Sequence, residues 1–174
     1  MAFLANIFSR KSNDLTEPLY TALVDWARDP WFYANAKVPD TIDGRFDMVA
    51  LMVSLALIRL EPEGASVQGF GRHLIETFVA DMDRSMREIG VGDLSVGKHV
   101  QRMAEAFLGR LGAYRTACAD GADEAALASA VARNVYRSDT AVAADLAQKV
   151  SQILAQLKNL DARDVLAGKI GPLA

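Results

Sequence analysis

Apolar side chains recur at intervals of three and four along nearly the whole chain, and no run of alternating β-branched residues competes with them. Leu19, Leu23 and Trp26 follow this period, as do Ile75, Val79, Met82, Met86 and Ile89. So do Val96, Val100, Met103, Phe107, Leu111, Tyr114 and Cys118, and then Leu146, Val150, Ile153, Leu157 and Leu160. The prolines at 18, 30, 39, 62 and 172 all fall near the ends of these patterns, where a missing N–H does least harm. The pattern predicts an all-α protein, a single helical domain of about six or seven helices. Residues 1–13 read as a flexible N-terminal segment, and 14–174 as the helical domain.

Local signals place the boundaries. Asp14 and Glu17 have capping-box spacing, so the first helix should open near Asp14. Asp29-Pro30 stops it, and 31–43 reads as a loop or short turn. Trp26, Trp31, Phe32 and Tyr33 concentrate around that loop, either as a cluster that pins it down, the favoured reading, or as an exposed binding surface. Thr41 or Asp43 caps a helix over about 44–61, whose Met48–Ile58 run is apolar except for Ser54. That run is too short to cross a bilayer and reads as a buried helix. Further helices are expected over Ser66–Ile89, from Asp93 or Ser95 to Ala119, and over Asp123–Tyr136, Thr140–Lys158 and Asp161–Ala167. Glycines at 64, 90, 92, 121 and 168 punctuate them.

Composition narrows function by exclusion. The chain is 51% hydrophobic over 174 residues, ample for a real core. Nineteen basic against 22 acidic side chains argue against nucleic-acid binding driven by bulk charge. One cysteine excludes a disulfide framework, and two histidines leave little room for a metal centre. His73 and Glu76 form one His-x-x-Glu, whereas a di-iron bundle uses two Glu-x-x-His motifs. Cys118 lies on an apolar stripe with no histidine near it in sequence, and no phosphate loop or nucleophile elbow occurs. No catalytic constellation stands out from the background, and neither a metal nor a cofactor is expected. At the N-terminus, apolar residues precede Arg10 and Lys11, the reverse of a signal peptide.

Two features suggest partner binding. Asp81, Asp83, Arg84, Arg87 and Glu88 crowd around Met82 and Met86, with Asp83–Arg87 and Arg84–Glu88 at ion-pair spacing. Methionine suits variable apolar partners, and Met48, Met52, Met82, Met86 and Met103 are candidates, although a core uses the same stripes. An alternative is a helical protein or enzyme with an enclosed pocket for an apolar ligand such as a quinone or lipid.

Two stretches carry a resemblance. One is Phe32-Tyr-Ala-Asn-Ala-Lys-Val-Pro-Asp-Thr-Ile-Asp-Gly-Arg-Phe-Asp47, leading into the apolar helix. The other is Asp81-Met-Asp-Arg-Ser-Met-Arg-Glu-Ile-Gly-Val-Gly-Asp93, followed by Phe107-Leu-Gly-Arg-Leu-Gly-Ala-Tyr114. Together with Leu160-Asp-Ala-Arg-Asp-Val-Leu166 they resemble the bacterial branch of the ubiquinol–cytochrome c reductase assembly chaperones, over roughly residues 15–168. The resemblance implies a non-catalytic, helical assembly factor. Its client would be newly made cytochrome b, met in the cytoplasm at the inner face of the bacterial inner membrane. A small partner protein and the ribosome are further partners implied by the family. On this resemblance the partner-binding residues are Asp81, Asp83, Arg87, Glu88 and Asp93, Arg45 and Asp47 at the opening of the apolar helix, and Met82 and Met86. The bacterial pattern often carries a His where Met52 stands here, so no haem role is implied for that position.

Overall fold

The computed structural model describes residues 13–90, 93–137 and 143–173. Among them run α1 (Asn13–Ala27), α2 (Pro30–Ala34), α3 (Ile42–Leu60), α4 (Ala65–Glu88), α5 (Asp93–Ala117), α6 (Glu124–Val131), α7 (Ala143–Asn159) and α8 (Ala162–Leu166). The described residues form one helical domain and contain no strand. A 3-10 turn (Glu61–Glu63) joins α3 to α4, and a π-helical turn (Ala132–Tyr136) extends α6. The predicted helix over Asp123–Tyr136 is thus an α-helix for its first part only. The capping role expected of Asp14 rests on a side chain outside the described ones. So does most of segment 1–13, since only Asn13 is described and it opens α1.

Chain chemistry sets these boundaries. Asp29 caps α2 by accepting from Trp31 N at 2.8 Å, with Pro30 in the first turn, where no N–H is needed. Thr41 caps α3 by accepting from Gly44 N at 3.1 Å. Gly64 and Gly90 take positive φ, 69° and 85°, and let the chain turn out of one helix toward the next. The loop aromatics do pin this region. Phe32 is fully buried, Trp31 meets it edge-on at 5.7 Å, and the Tyr33 hydroxyl donates to Ala27 O at 2.8 Å.

Helix α3 is the centre. Fourteen of its 19 residues are buried, and α1, α4, α5 and α7 all pack on it. A helix apolar on nearly every side is stable only when covered this way. Thr16 and Thr77 share a buried hydroxyl–hydroxyl bond of 2.7 Å, and the Tyr20 hydroxyl donates to Asp81 at 2.7 Å, so α1 and α4 run parallel. Phe46 stacks on Phe78, and Leu57 lies beside Gly71, where an added Cβ would come within 3.3 Å of its Cδ2, so α3 runs antiparallel to α4. Those contacts rotate α4 away from its sequence stripe. Leu74, Thr77, Phe78 and Met82 are buried, Ile75, Val79 and Met86 only partly, and Ile89 is exposed.

The C-terminal segment is strapped down: Trp26 Nε1 donates to Gly171 O at 3.0 Å, and Gln156 donates to the carbonyls of Ile170 and Pro172. Arg59 closes the end of α7, donating to Leu157 O at 2.9 Å and Leu160 O at 2.8 Å while pairing with Glu63. A guanidinium there satisfies carbonyls the helix leaves open and meets the negative end of its dipole. Arg59→Met is expected to cost about 1–2 kcal/mol. It should appear as a lower urea midpoint with an unchanged slope. Among the described residues no helix is long and apolar enough to cross a membrane.

Candidate functional site

Several helix ends meet at one end of the bundle. There α1 stops before Asp29, α2 brings Tyr33, α3 begins at Ile42, and α4 runs out at Gly90. Between them lies a groove of about 260 Å3 that opens to the surface. Its apolar wall is built from Val24, Phe46, Val49, Met82, Met86 and Met103. Ile42 and Ile89 line its edge with 56% and 53% of their surface exposed, unusual for large apolar side chains. The predicted methionines therefore divide. Met48 and Met52 are fully buried in the core, whereas Met86 and Met103 are only partly buried and, with Met82, face the groove.

Charge surrounds this apolar wall. Arg28, Arg45, Asp81 and Glu88 line the groove too. Arg45 Nε donates to Asp40 at 2.7 Å and its guanidinium lies 5.8 Å from the Tyr33 ring centre. That hydrogen bond holds the Asp40 carboxyl below its ordinary value. Asp81 accepts from Tyr20 and from Arg84 at 2.6 Å. Burial, followed by the nearby Asp81 charge, pushes the Tyr20 hydroxyl well above its ordinary acidity range, so it stays a donor.

Five of the residues singled out in the sequence, Arg45, Asp81, Met82, Met86 and Glu88, come together on this groove. Asp83 and Arg87 do not line it. They pair with each other at 2.7 Å one turn apart on α4. The pair expected between Arg84 and Glu88 is not the one formed, because Arg84 reaches back to Asp81. Asp93 opens α5, and its side chain lies outside the described ones.

Asp47 is elsewhere. It is 1% exposed, behind the groove wall, with Arg110 Nη2 at 2.8 Å and Arg137 Nη2 at 3.5 Å. Burial lifts its acid to about 6 despite the pull of both arginines. Nothing in the sequence marks Phe46, Val49, Val24 or Ile42 as part of this site. Only the conjunction of helix ends brings them to one groove. Ile89 could have been found, since it sits on a stripe already read from the sequence.

Comparison with known proteins gives three findings. The ubiquinol-cytochrome C chaperone family model matches residues 34–172. A curated relative, the ubiquinol-cytochrome-c reductase complex assembly factor 1 of Xenopus laevis, is 23% identical over 146 residues, covering 84% of this chain and 72% of that protein. A solved structure, described as the Cbp3 homolog from Brucella abortus, superposes with a TM-score of 0.80 at 33% identity, over 100% of this chain and 97% of its own.

Proposed function

We propose that this chain, which belongs to the ubiquinol–cytochrome c chaperone family, holds newly made cytochrome b in the groove while the ubiquinol–cytochrome c reductase complex is assembled. The observation carrying this reading is the groove itself: three methionines under two half-exposed isoleucines, bordered by charge. Unbranched, polarisable methionines adapt to apolar surfaces of differing shape. One turn of helix, about 10 Å across and 5.4 Å long, fills more than this volume. A client helix would therefore lie across the opening and insert a few side chains, as in helix-in-groove recognition. Arg45, Asp81 and Glu88 border the apolar wall, and Asp83 and Arg87 extend that border along α4. The role is one of binding and shielding, without chemistry.

The test is co-purification from native membranes with the full chain and its Met86→Lys, Ile89→Lys double variant. Both positions are at least partly open to water, so the helical signal should persist. Placing two ammonium groups against an apolar client should reduce cytochrome b recovery about tenfold or more. Equal recovery by both proteins, or none by the unaltered chain, would exclude the groove as the client site.

A further inference from the structure

Behind the groove lies a polar cluster that stability alone does not explain. Asp47 and Arg110 are at ion-pair distance, 2.8 Å, yet misaligned for a hydrogen bond, and Arg110 Nε has no acceptor. Beside them the Tyr114 hydroxyl and the Asn134 amide lack well-placed partners. Buried ion pairs seldom stabilise a fold more than apolar residues of the same volume would, and a partly satisfied one does so less. What this pair does have is an orientation. The Arg110 guanidinium carbon lies 5.4 Å from the centre of the Phe46 ring. Phe46 also stacks on Phe78 at 5.6 Å, and Phe78 meets Phe107 at 4.8 Å. Phe46 is the residue that takes this cluster to the groove, since Asp47 and Arg110 do not line it themselves.

We infer that the Asp47–Arg110 pair positions Phe46 as the back wall of the groove, making both residues positioning residues for client binding that never touch the client. This rests on the groove being the client site. The planar guanidinium covers the Phe46 ring, and Asp47 fixes the guanidinium. The charged groups bearing on Asp47 are Arg110 from α5, Arg137 at the end of the π-helical turn, and Asp43 one helical turn away on α3. Tyr114 of α5 is its remaining titratable neighbour. From α4 the cluster meets the apolar Phe78 ring through Phe46. Because the carboxyl titrates at about 6, the wall should loosen in mild acid, when Asp47 becomes neutral and holds Arg110 less firmly.

The experiment uses the full chain, a fluorescently labelled helical peptide with leucines along one face, and para-fluorophenylalanine introduced at position 46 alone. Arg110→Lys keeps a cation for Asp47 but removes the planar cover from Phe46. It should fold, shift the fluorine signal of residue 46, and weaken peptide binding about fivefold. In the unaltered chain the affinity should fall as pH is lowered from about 7.5 to about 5, and Asp47→Asn should remove that step. An unchanged affinity together with an unchanged fluorine signal in Arg110→Lys would overturn the inference. If the unaltered chain binds no peptide, the client reading of the groove fails. In that case a fluorine signal that moves in Arg110→Lys sustains the positioning of Phe46, and one that stays put removes it.

Discussion

Gly44→Ala should lower the unfolding temperature by about 6–12 °C, corresponding to a loss of about 3 kcal/mol at roughly 2–4 °C per kcal/mol for a chain of this size. In an exposed helix interior the same substitution normally gains up to about 1 kcal/mol, because alanine loses less backbone freedom. Here the sign reverses for a steric reason. A Cβ on Gly44 would lie 2.0 Å from the carbonyl oxygen of Pro39. That oxygen cannot simply withdraw. It accepts from Thr41 N at 2.9 Å, and Thr41 caps the helix through Gly44 N. Upstream, Val38 N donates to Phe32 O at 3.0 Å and anchors the loop to the buried Phe32. Displacing the loop would also disturb Ile42 and the Asp40–Arg45 pair at the edge of the groove, so client capture should fall with stability. Gly109→Ala is the control. Its Cβ would meet nothing within 4 Å on an exposed face of α5, so it should stabilise slightly. A Gly44→Ala protein as stable as its parent would mean the loop has room that the backbone geometry denies. Gly168 is constrained in the same way: its φ is 72°, and a Cβ there would lie 2.5 Å from the Pro18 carbonyl.

Most of the helical framework was legible because each boundary depends on short-range chemistry. Asp29-Pro30, the Thr41 cap and Gly64 act within a turn or two, and the structure places helix ends at each. The Met48–Ile58 run could only be a covered helix, and α3 is the most enclosed one. The candidate site was less legible, because what exposes it is relative rotation. The stripe Ile75–Ile89 reads as a core face. Yet α4 is turned by two specific polar contacts, Thr16–Thr77 and Tyr20–Asp81, each spanning 61 residues of sequence. No local pattern announces such pairs. The same holds for Arg110, which looks like one more cation on the Asp93–Ala117 helix until α3 and α5 pack and set it against Asp47 and Phe46. The π-helical turn after α6 was equally hidden. It ends with Arg137 at a φ of 54°, where the side chain reaches both Asp43 and Asp47, a long-range consequence of packing rather than of local propensity.

Arg110→Met should destabilise the protein by an amount that depends on pH. In the parent, burial raises the Asp47 acid above its unfolded value, to about 6. The folded state therefore favours the protonated carboxyl. That contribution is fully present below the unfolded value, about 3.9, and is lost as pH rises through about 6. Arg110 is the leading group opposing the rise, so removing it pushes the acid higher still. At about pH 7 the variant can escape most of the cost of a buried, poorly compensated carboxylate by holding its proton. The ionic part of the loss is then limited to about one pH unit above the parent's titration point, or about 1.4 kcal/mol. Loss of the guanidinium over Phe46 adds about 1 kcal/mol, for a total near 2–3 kcal/mol. Above pH 7 the deficit should grow by about 1.4 kcal/mol per unit until the variant's own carboxyl ionises, while at about pH 5 only the packing part should remain. Urea unfolding of parent and variant across this range measures the difference directly. A deficit of the same size at every pH would show that Arg110 does not hold the Asp47 charge, and the pair would then be a packing contact alone.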